Sequence, residues 1–160
     1  MLSVVAAACT KTPDPKVPRN PEVRISSASL FDAGRFAGRW HVLQSYTPGC
    51  AGAEQNWQEA APGRYALAGI DCTGAAPAAL AGRAVVTGPG GRITPDIGFG
   101  RDVVFVLWVD QDYRMAALGT PSGRWGMILS RDPAGRADLT RAAREVLAFN
   151  GYDLSRLAAR

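Results

Sequence analysis

The feature that most constrains the fold of this chain is the brevity of the connections between its apolar segments. From residue 40 to residue 130, short stretches rich in Val, Leu, Tyr and Trp alternate with clusters of Gly, Pro and Asp. The clearest connections are 61–63, 88–91, 110–112 and 121–123. Such turns join neighbouring antiparallel strands, whereas parallel pairing needs a long crossover. The chain is therefore predicted to be an all-β protein with antiparallel strands.

Eight strands are predicted, followed by one helix. Their number and spacing suit a barrel or a sandwich. The helix begins near Asp138, a candidate N-cap, and ends at Asn150 and Gly151, a normal C-terminal stop. Its apolar stripe predicts packing on the outside of the sheet. The predicted strands are Trp40 to Tyr46, Glu54 to Glu59, Tyr65 to Cys72, Gly82 to Thr87, Arg92 to Ile97, Asp102 to Val109, Tyr113 to Leu118 and Trp125 to Ser130.

Length and charge narrow the possible functions. A chain of 160 residues, 47% of them hydrophobic, is long enough for one domain with a proper core. The net charge of +4 comes almost wholly from scattered arginines, which does not indicate nucleic-acid binding. No metal-ligand spacing or phosphate loop is visible, so we expect no metal and no cofactor.

The first residues predict a lipid anchor. Met1 to Ala8 is an apolar, small-residue stretch that runs directly into Cys9, and Ala6 to Ala8 resemble a bacterial lipobox. In that interpretation Cys9 is lipidated, and Thr10 favours the outer membrane. The alternative is a disordered tail with an incidental cysteine. We therefore divide the chain into a partial signal-like segment at 1–8, a flexible tether at 9–26 and a folded domain at 27–160.

Three short motifs carry a family resemblance. Gly38-Arg39-Trp40 precedes the first strand, Asp110 to Tyr113 form the sixth turn, and Arg131 follows the eighth strand. In this order, with a helix after the third, they resemble the three motifs of lipocalins, above all the bacterial outer-membrane lipocalins and the apolipoprotein D group. The resemblance covers about Ser29 to Leu157 and implies an eight-stranded antiparallel up-and-down β-barrel with one C-terminal helix packed outside.

In such a barrel, strands one and eight bring Trp40 and Arg131 to the same end. Arg131 is expected to lie over the Trp40 indole and to hydrogen-bond nearby carbonyl groups, which closes that end. The turn at Asp110 and Tyr113 falls there too. We interpret these residues, with Gly38, as structural and not catalytic.

The other end of the barrel is predicted to hold the ligand. Alternation from Trp40 places Gln44 and Tyr46 inward, and counting back from Arg131 does the same for Met127 and Trp125. The resemblance favours Phe105 and Leu107 inward and Trp108 outward, which a bulge would reverse. The alternative is that these side chains simply fill the barrel. Tyr46, Trp57, Trp125 and Met127 are expected toward the open end. The predicted ligand-binding residues are Gln44, Tyr46, Trp57, Phe105, Leu107, Trp125 and Met127.

The remaining cysteines are predicted to pair. Cys50 follows strand one and Cys72 ends strand three, so both lie at the open end, and an oxidising compartment favours a disulfide between them. The alternative makes Cys50 a free nucleophile of a lipid isomerase. His41, the only histidine, is expected to point outward, away from the interior.

The function that follows is non-enzymatic. We expect a lipid-anchored protein on the periplasmic face of the outer membrane that binds, stores or transports a fatty acid, lysophospholipid or similar lipid. The alternatives are an envelope interaction protein with a filled barrel and the cysteine-dependent isomerase. The oligomeric state is not predicted.

Overall fold

The computed structural model describes residues 16–96 and 99–159. Its main strands are β1 Gly38–Ser45, β2 Glu54–Ala61, β3 Arg64–Asp71, β4 Ala78–Val86, β5 Arg92–Pro95, β6 Val104–Val109, β7 Met115–Gly119 and β8 Gly126–Ser130. Each pairs antiparallel with the next along the chain, and β1 pairs with both β2 and β8. The sheet is therefore a closed up-and-down barrel, which confirms the predicted fold class.

Three smaller elements complete the fold. The short helix α1 (Ala33–Phe36) precedes β1, and α2 (Ala137–Phe149) packs outside the barrel against β6, β7 and β8. A two-residue strand, β9 (Ala158–Ala159), was not predicted and adds to the edge of β1. None of the helices within the described ranges is long and apolar enough to span a membrane.

The N-cap of the helix lies two residues before the predicted one. The N-cap is Arg136, whose backbone is extended, and Asp138 lies in the first turn instead. There its carboxylate accepts hydrogen bonds from the Arg136 guanidinium at 3.2 and 2.9 Å. A carboxylate in the first turn also interacts favourably with the helix dipole. Asn150 is the C-cap as predicted, and Gly151 follows it with a φ of +88°.

Most strand limits lie within two residues of those predicted, but β4 starts four residues earlier, at Ala78. Residues 78–81 are three alanines and one leucine and carry no β-branched or aromatic signal, yet they pair in register with the end of β3. Main-chain pairing with β3 extends this strand. The composition of the segment by itself does not show such pairing.

Residues 16–26, predicted as the last part of a flexible tether, lie against the barrel. Arg19 is only 3% exposed, and its guanidinium donates to the carbonyl oxygens of Asn150, Pro121 and Val23. Tyr152 forms a β-bridge with Arg19. These hydrogen bonds hold the segment in place, because a buried guanidinium without partners would be strongly unfavourable. The predicted signal-like residues 1–8 and the lipidation site Cys9 lie outside the described residues.

Two separate apolar cores result. One fills the barrel, and the other lies between the outer face of the sheet and α2. The end of the barrel where α1 and the turns at 62–63, 87–91 and 110–114 lie is called the closed end below. The opposite end, with the loops at 46–53, 72–77 and 120–125 and with residues 96 and 99–103, is called the open end.

Candidate ligand site in the barrel

The closed end is sealed by Arg131 and Trp40, as predicted. The guanidinium carbon of Arg131 lies 3.7 Å from the centroid of the Trp40 ring. Trp40 donates its indole N–H to the Phe36 carbonyl at 2.8 Å. Burial lowers the pKa of Arg131 below its ordinary value. The Arg131 nitrogens also donate, at 2.8 to 3.3 Å, to the carbonyl oxygens of Arg35, Phe36, Ala37, Arg39 and Tyr113.

Gly38 is required for this seal. Its φ of +109° lies in a region that side-chain-bearing residues rarely adopt, and a Cβ there would come within 3.0 Å of Arg131 Nη1. The Gly-x-Trp motif therefore combines a close backbone approach with the ring on which the guanidinium stacks.

The Asp110 turn braces the same end. Asp110 accepts the backbone N–H groups of Arg114 at 2.6 Å and Met115 at 2.7 Å, and the Arg114 Nε at 2.9 Å. Burial acts to raise the pKa of Asp110, but these hydrogen bonds outweigh it and hold the pKa below its ordinary value. The Tyr113 hydroxyl accepts the Asp32 N–H at 2.7 Å and so joins the turn to α1.

Three of the predicted ligand-site residues do face the barrel interior: Trp57, Trp125 and Met127. Trp57 lies closer to the closed end than predicted. It pairs with Gly38 across β1 and β2, and its ring centroid is 5.3 Å from that of Phe36. Neighbouring strands are offset because they are tilted in a closed barrel, which alternation along one strand does not show.

Gln44 and Tyr46 were wrongly predicted to point inward. The pairing of β1 with β8 shifts register between Val42 and Gln44, so Leu43 is an extra residue that reverses the alternation after it. Gln44 accepts a hydrogen bond from Arg144 of α2 at 2.8 Å. Tyr46 stacks outside the barrel on Tyr152, with 5.4 Å between ring centroids.

Phe105 and Leu107 were also wrongly placed. Both belong to the outer core under α2, as does Trp108, which was correctly predicted outward. The inward residues at the start of β6 are Val104 and Val106, and the pairing with β7 shifts register between Val106 and Trp108. Because β6 is apolar on both faces, its composition did not reveal which face is inside.

An unpredicted residue, Phe99, occupies the centre of the barrel. It comes from the open-end loop between β5 and β6 and is fully buried. Its ring centroid lies 5.2 Å from that of Trp57 and 5.8 Å from that of Trp125, at interplanar angles of 33° and 31°. The inward side chains of Trp57, Trp125 and Met127 are likewise fully buried. A side chain lining an open cavity would keep accessible surface, so this part of the barrel is filled in this state.

Two polar residues inside the barrel were missed by the sequence analysis. Gln55 is fully buried, donates to the Ile70 carbonyl at 2.9 Å, and accepts the Trp57 indole N–H at 3.2 Å. Ser45, the inward residue after the β1 bulge, is also fully buried. Alternation from Trp57 would have found Gln55, whereas Ser45 depended on the bulge.

The Trp125 indole N–H differs from those of the other interior tryptophans. It is buried and has no hydrogen-bond acceptor among the residues that the structure describes. Trp40 and Trp57 both have acceptors, as given above. A buried donor without a partner is unfavourable and uncommon in folded proteins.

The cysteines form the predicted disulfide. Cys50 and Cys72 are bonded at the open end with 5.8 Å between their Cα atoms. This contradicts the alternative of a free Cys50 nucleophile, because a disulfide sulfur is not a thiolate.

His41 lies 3.4 Å from the Glu54 carboxylate, on the outward side of β1. Within the described residues, no group of three or more His, Cys, Asp or Glu side chains could hold a metal.

Comparison with known proteins agrees with this geometry. A family model described as a lipocalin-like domain matches residues 31–160. No curated protein matches the chain. Rat epididymal lipocalin 12 is 15% identical, with 91% of each chain covered and a TM-score of 0.62. Lobster apocrustacyanin A1 is 12% identical over 79% of this chain and 77% of its own, with a TM-score of 0.57. The siderocalin Ex-FABP is 12% identical over 78% and 93%, with a TM-score of 0.60. At these identities the structures show similarity of fold alone.

Proposed function

Because this chain belongs to the lipocalin-like domain family, we propose that it binds, stores or transports a small hydrophobic ligand within its barrel. The observation that carries the proposal is the asymmetry of the barrel. One end is sealed by Arg131 and Trp40, whereas the interior beyond it is lined by apolar and aromatic side chains from several strands. The chain is then a carrier and not an enzyme.

A fatty acid, lysophospholipid or similar lipid is the proposed class of ligand. Burying an apolar tail contributes about 0.8 kcal/mol for each CH₂ group removed from water. The filled interior means that a ligand must displace side chains that now touch each other. Trp57, Trp125 and Met127 are the inward residues that we propose as its contacts.

The proposed location is the periplasmic face of a bacterial outer membrane, as in the bacterial outer-membrane lipocalins. Cys9, at the end of its lipobox-like stretch, would carry the lipid anchor. The Cys50–Cys72 disulfide supports an oxidising compartment. Labelling with an alkyne analogue of palmitate should mark the wild-type protein and not the Cys9→Ser variant. Equal labelling of both would contradict the anchor.

A binding titration with a fluorescent fatty acid tests the ligand proposal. Trp57→Ala and Trp125→Ala should each weaken binding by about tenfold, which corresponds to ~1.4 kcal/mol. Trp108→Ala is the matched control, because Trp108 lies outside the barrel and its loss should leave affinity unchanged. Unchanged affinity in both interior variants would contradict the assignment of the pocket.

The complete burial of the interior side chains favours a second candidate, an envelope interaction protein whose barrel stays filled. Native mass spectrometry of protein purified from its own membrane separates the two. A bound lipid supports the carrier, whereas no bound lipid and no uptake of added fatty acid support the filled barrel.

A further inference from the structure

We propose that the space between the Trp57 and Trp125 rings is a subsite for a planar, ring-containing ligand with a hydrogen-bond acceptor, and that Phe99 occupies it in the unliganded protein. This inference rests on the proposed function and narrows its ligand from lipids in general to flat ring systems that bear a carbonyl, carboxylate or ether oxygen. Three independent features of the described residues support it.

The first feature is the arrangement of the rings. Phe99 stands between Trp57 and Trp125 at centroid distances of 5.2 and 5.8 Å, and it is tilted by only about 30° to each, at 33° and 31°. These separations are typical of stacked aromatic pairs. A phenyl ring therefore fits the space between the two indoles, whereas the zigzag of a saturated chain does not present a flat face to them.

The second feature is where Phe99 comes from. Trp57 belongs to β2, and Trp125 directly precedes β8, whereas Phe99 lies at least four residues from the ends of both β5 and β6. Its φ of +48° lies in the left-handed region, where a bulky residue is strained. Burial of the Phe99 ring offsets this strain. When a ligand ring takes the place of the Phe99 ring, that burial is lost and the backbone of Phe99 is free to relax.

The third feature is the Trp125 indole N–H, which is fully buried beside Phe99 and has no acceptor within the described ranges. A phenyl ring offers it no oxygen. A ligand that replaces the ring and carries an acceptor would satisfy this donor, and the gain is large because unpaired buried donors are costly. The donor therefore selects for an acceptor-bearing ligand.

The test compares two naphthalene probes. Calorimetric titrations with 2-acetylnaphthalene, which has a carbonyl acceptor, and with naphthalene, which has none, are run on the wild type and on Phe99→Ala. Phe99→Ala should bind 2-acetylnaphthalene at least tenfold more tightly than the wild type, because the probe no longer competes with the Phe99 ring for the same space. It should also prefer 2-acetylnaphthalene over naphthalene by about tenfold.

Two further variants serve as controls. Phe149→Ala removes the same side chain from the outer end of α2, where Phe149 is 78% exposed, and should bind both probes like the wild type. Phe99→Ala combined with Trp125→Phe keeps an aromatic ring but removes the donor, and it should lose the preference for the acceptor probe.

Folding of the variants is checked by thermal denaturation, and Phe99→Val provides a smaller change if Phe99→Ala is unfolded. In the wild type itself, the Trp125 indole proton should shift downfield in the NMR spectrum when 2-acetylnaphthalene is added. Equal affinity of the folded Phe99 variants and the wild type for 2-acetylnaphthalene would overturn the inference.

The outcomes also separate this inference from the proposed function. If wild type and variants bind the fluorescent fatty acid but neither naphthalene probe, the carrier proposal stands and the ring subsite is wrong. If Phe99→Ala gains as much affinity for dodecanoate as for 2-acetylnaphthalene, the site is apolar but not selective for rings. If no probe binds to any variant, both proposals fail.

Discussion

Arg131 and Trp40, which are 91 positions apart in sequence, meet face to face at the closed end of the barrel with 3.7 Å between guanidinium carbon and ring centroid. The contact ties the start of β1 to the end of β8, the two strands whose pairing closes the sheet. The guanidinium also donates to the carbonyl oxygens of Arg35, Phe36 and Ala37, at the end of α1 and just after it. The pair is therefore expected to stabilise barrel closure.

Arg131→Ala should lower the free energy of unfolding by about 3 kcal/mol, since it removes a cation–π contact and several charge-assisted hydrogen bonds. Arg131→Lys should recover only part of this loss, because an ammonium group lacks the planar fork. Urea denaturation measures both. Arg141→Ala, at an exposed position on α2, is the control and should change stability little. A loss as small as that of the control would contradict the stabilising role.

The Cys50–Cys72 disulfide spans 22 positions in sequence at the open end. Replacing both cysteines by serine should lower the free energy of unfolding by about 3 kcal/mol, by the chain-entropy relation for a loop of this length. Thiol titration of unreduced protein carrying Cys9→Ser should find no free thiol before reduction and two after it. Two free thiols before reduction would show that the disulfide does not form.

The direction of the β6 and β7 side chains can be tested with a pair of leucines. Leu107 faces the outer core and Leu118 the barrel interior. Changing either to alanine should cost about 2–5 kcal/mol of stability, as for other buried leucines. In titrations with the fluorescent fatty acid, only Leu118→Ala should alter affinity. A change in affinity with Leu107→Ala alone would mean that β6 faces the other way.

Asp110 should make stability depend on pH at the acidic end. Its folded-state pKa lies below the ordinary value of 3.8, so the carboxylate contributes stability above that pH and loses it as the pH falls through the folded pKa. The stability difference between wild type and Asp110→Asn should therefore be largest at neutral pH and shrink below pH 3.8. Denaturant titrations at several pH values measure it. A constant difference would contradict the lowered pKa.

Turn chemistry and short apolar segments predicted the eight strands, their antiparallel order and the outer helix. The closed end was predicted from the resemblance of Gly38, Trp40, Asp110, Tyr113 and Arg131 to lipocalin motifs, because in the barrel that this resemblance implies the alternating strands bring these residues to one end. The disulfide followed from the same topology. These features depend on order along the chain, which sequence displays directly.

The interior of the open half could not be predicted in the same way. One extra residue at Leu43 turned Gln44 and Tyr46 outward, and the apolar β6 hid which of its faces is inside. Phe99 gave no strand signal because it enters from a loop. Each error concerns a side chain whose direction depends on pairing with another strand or on packing from outside its own segment.

The sequence therefore determined the antiparallel strand order through its short turns. Through the resemblance of its motifs to those of lipocalins it also determined the barrel and its closed end, and that topology brought Cys50 and Cys72 together. Only the tertiary structure decided what fills the barrel. A bulge in one strand is favoured or disfavoured by its partner strand, and the space between Trp57 and Trp125 exists only once the sheet has closed. The residue that occupies this space, Phe99, was selected by packing and not by any local pattern.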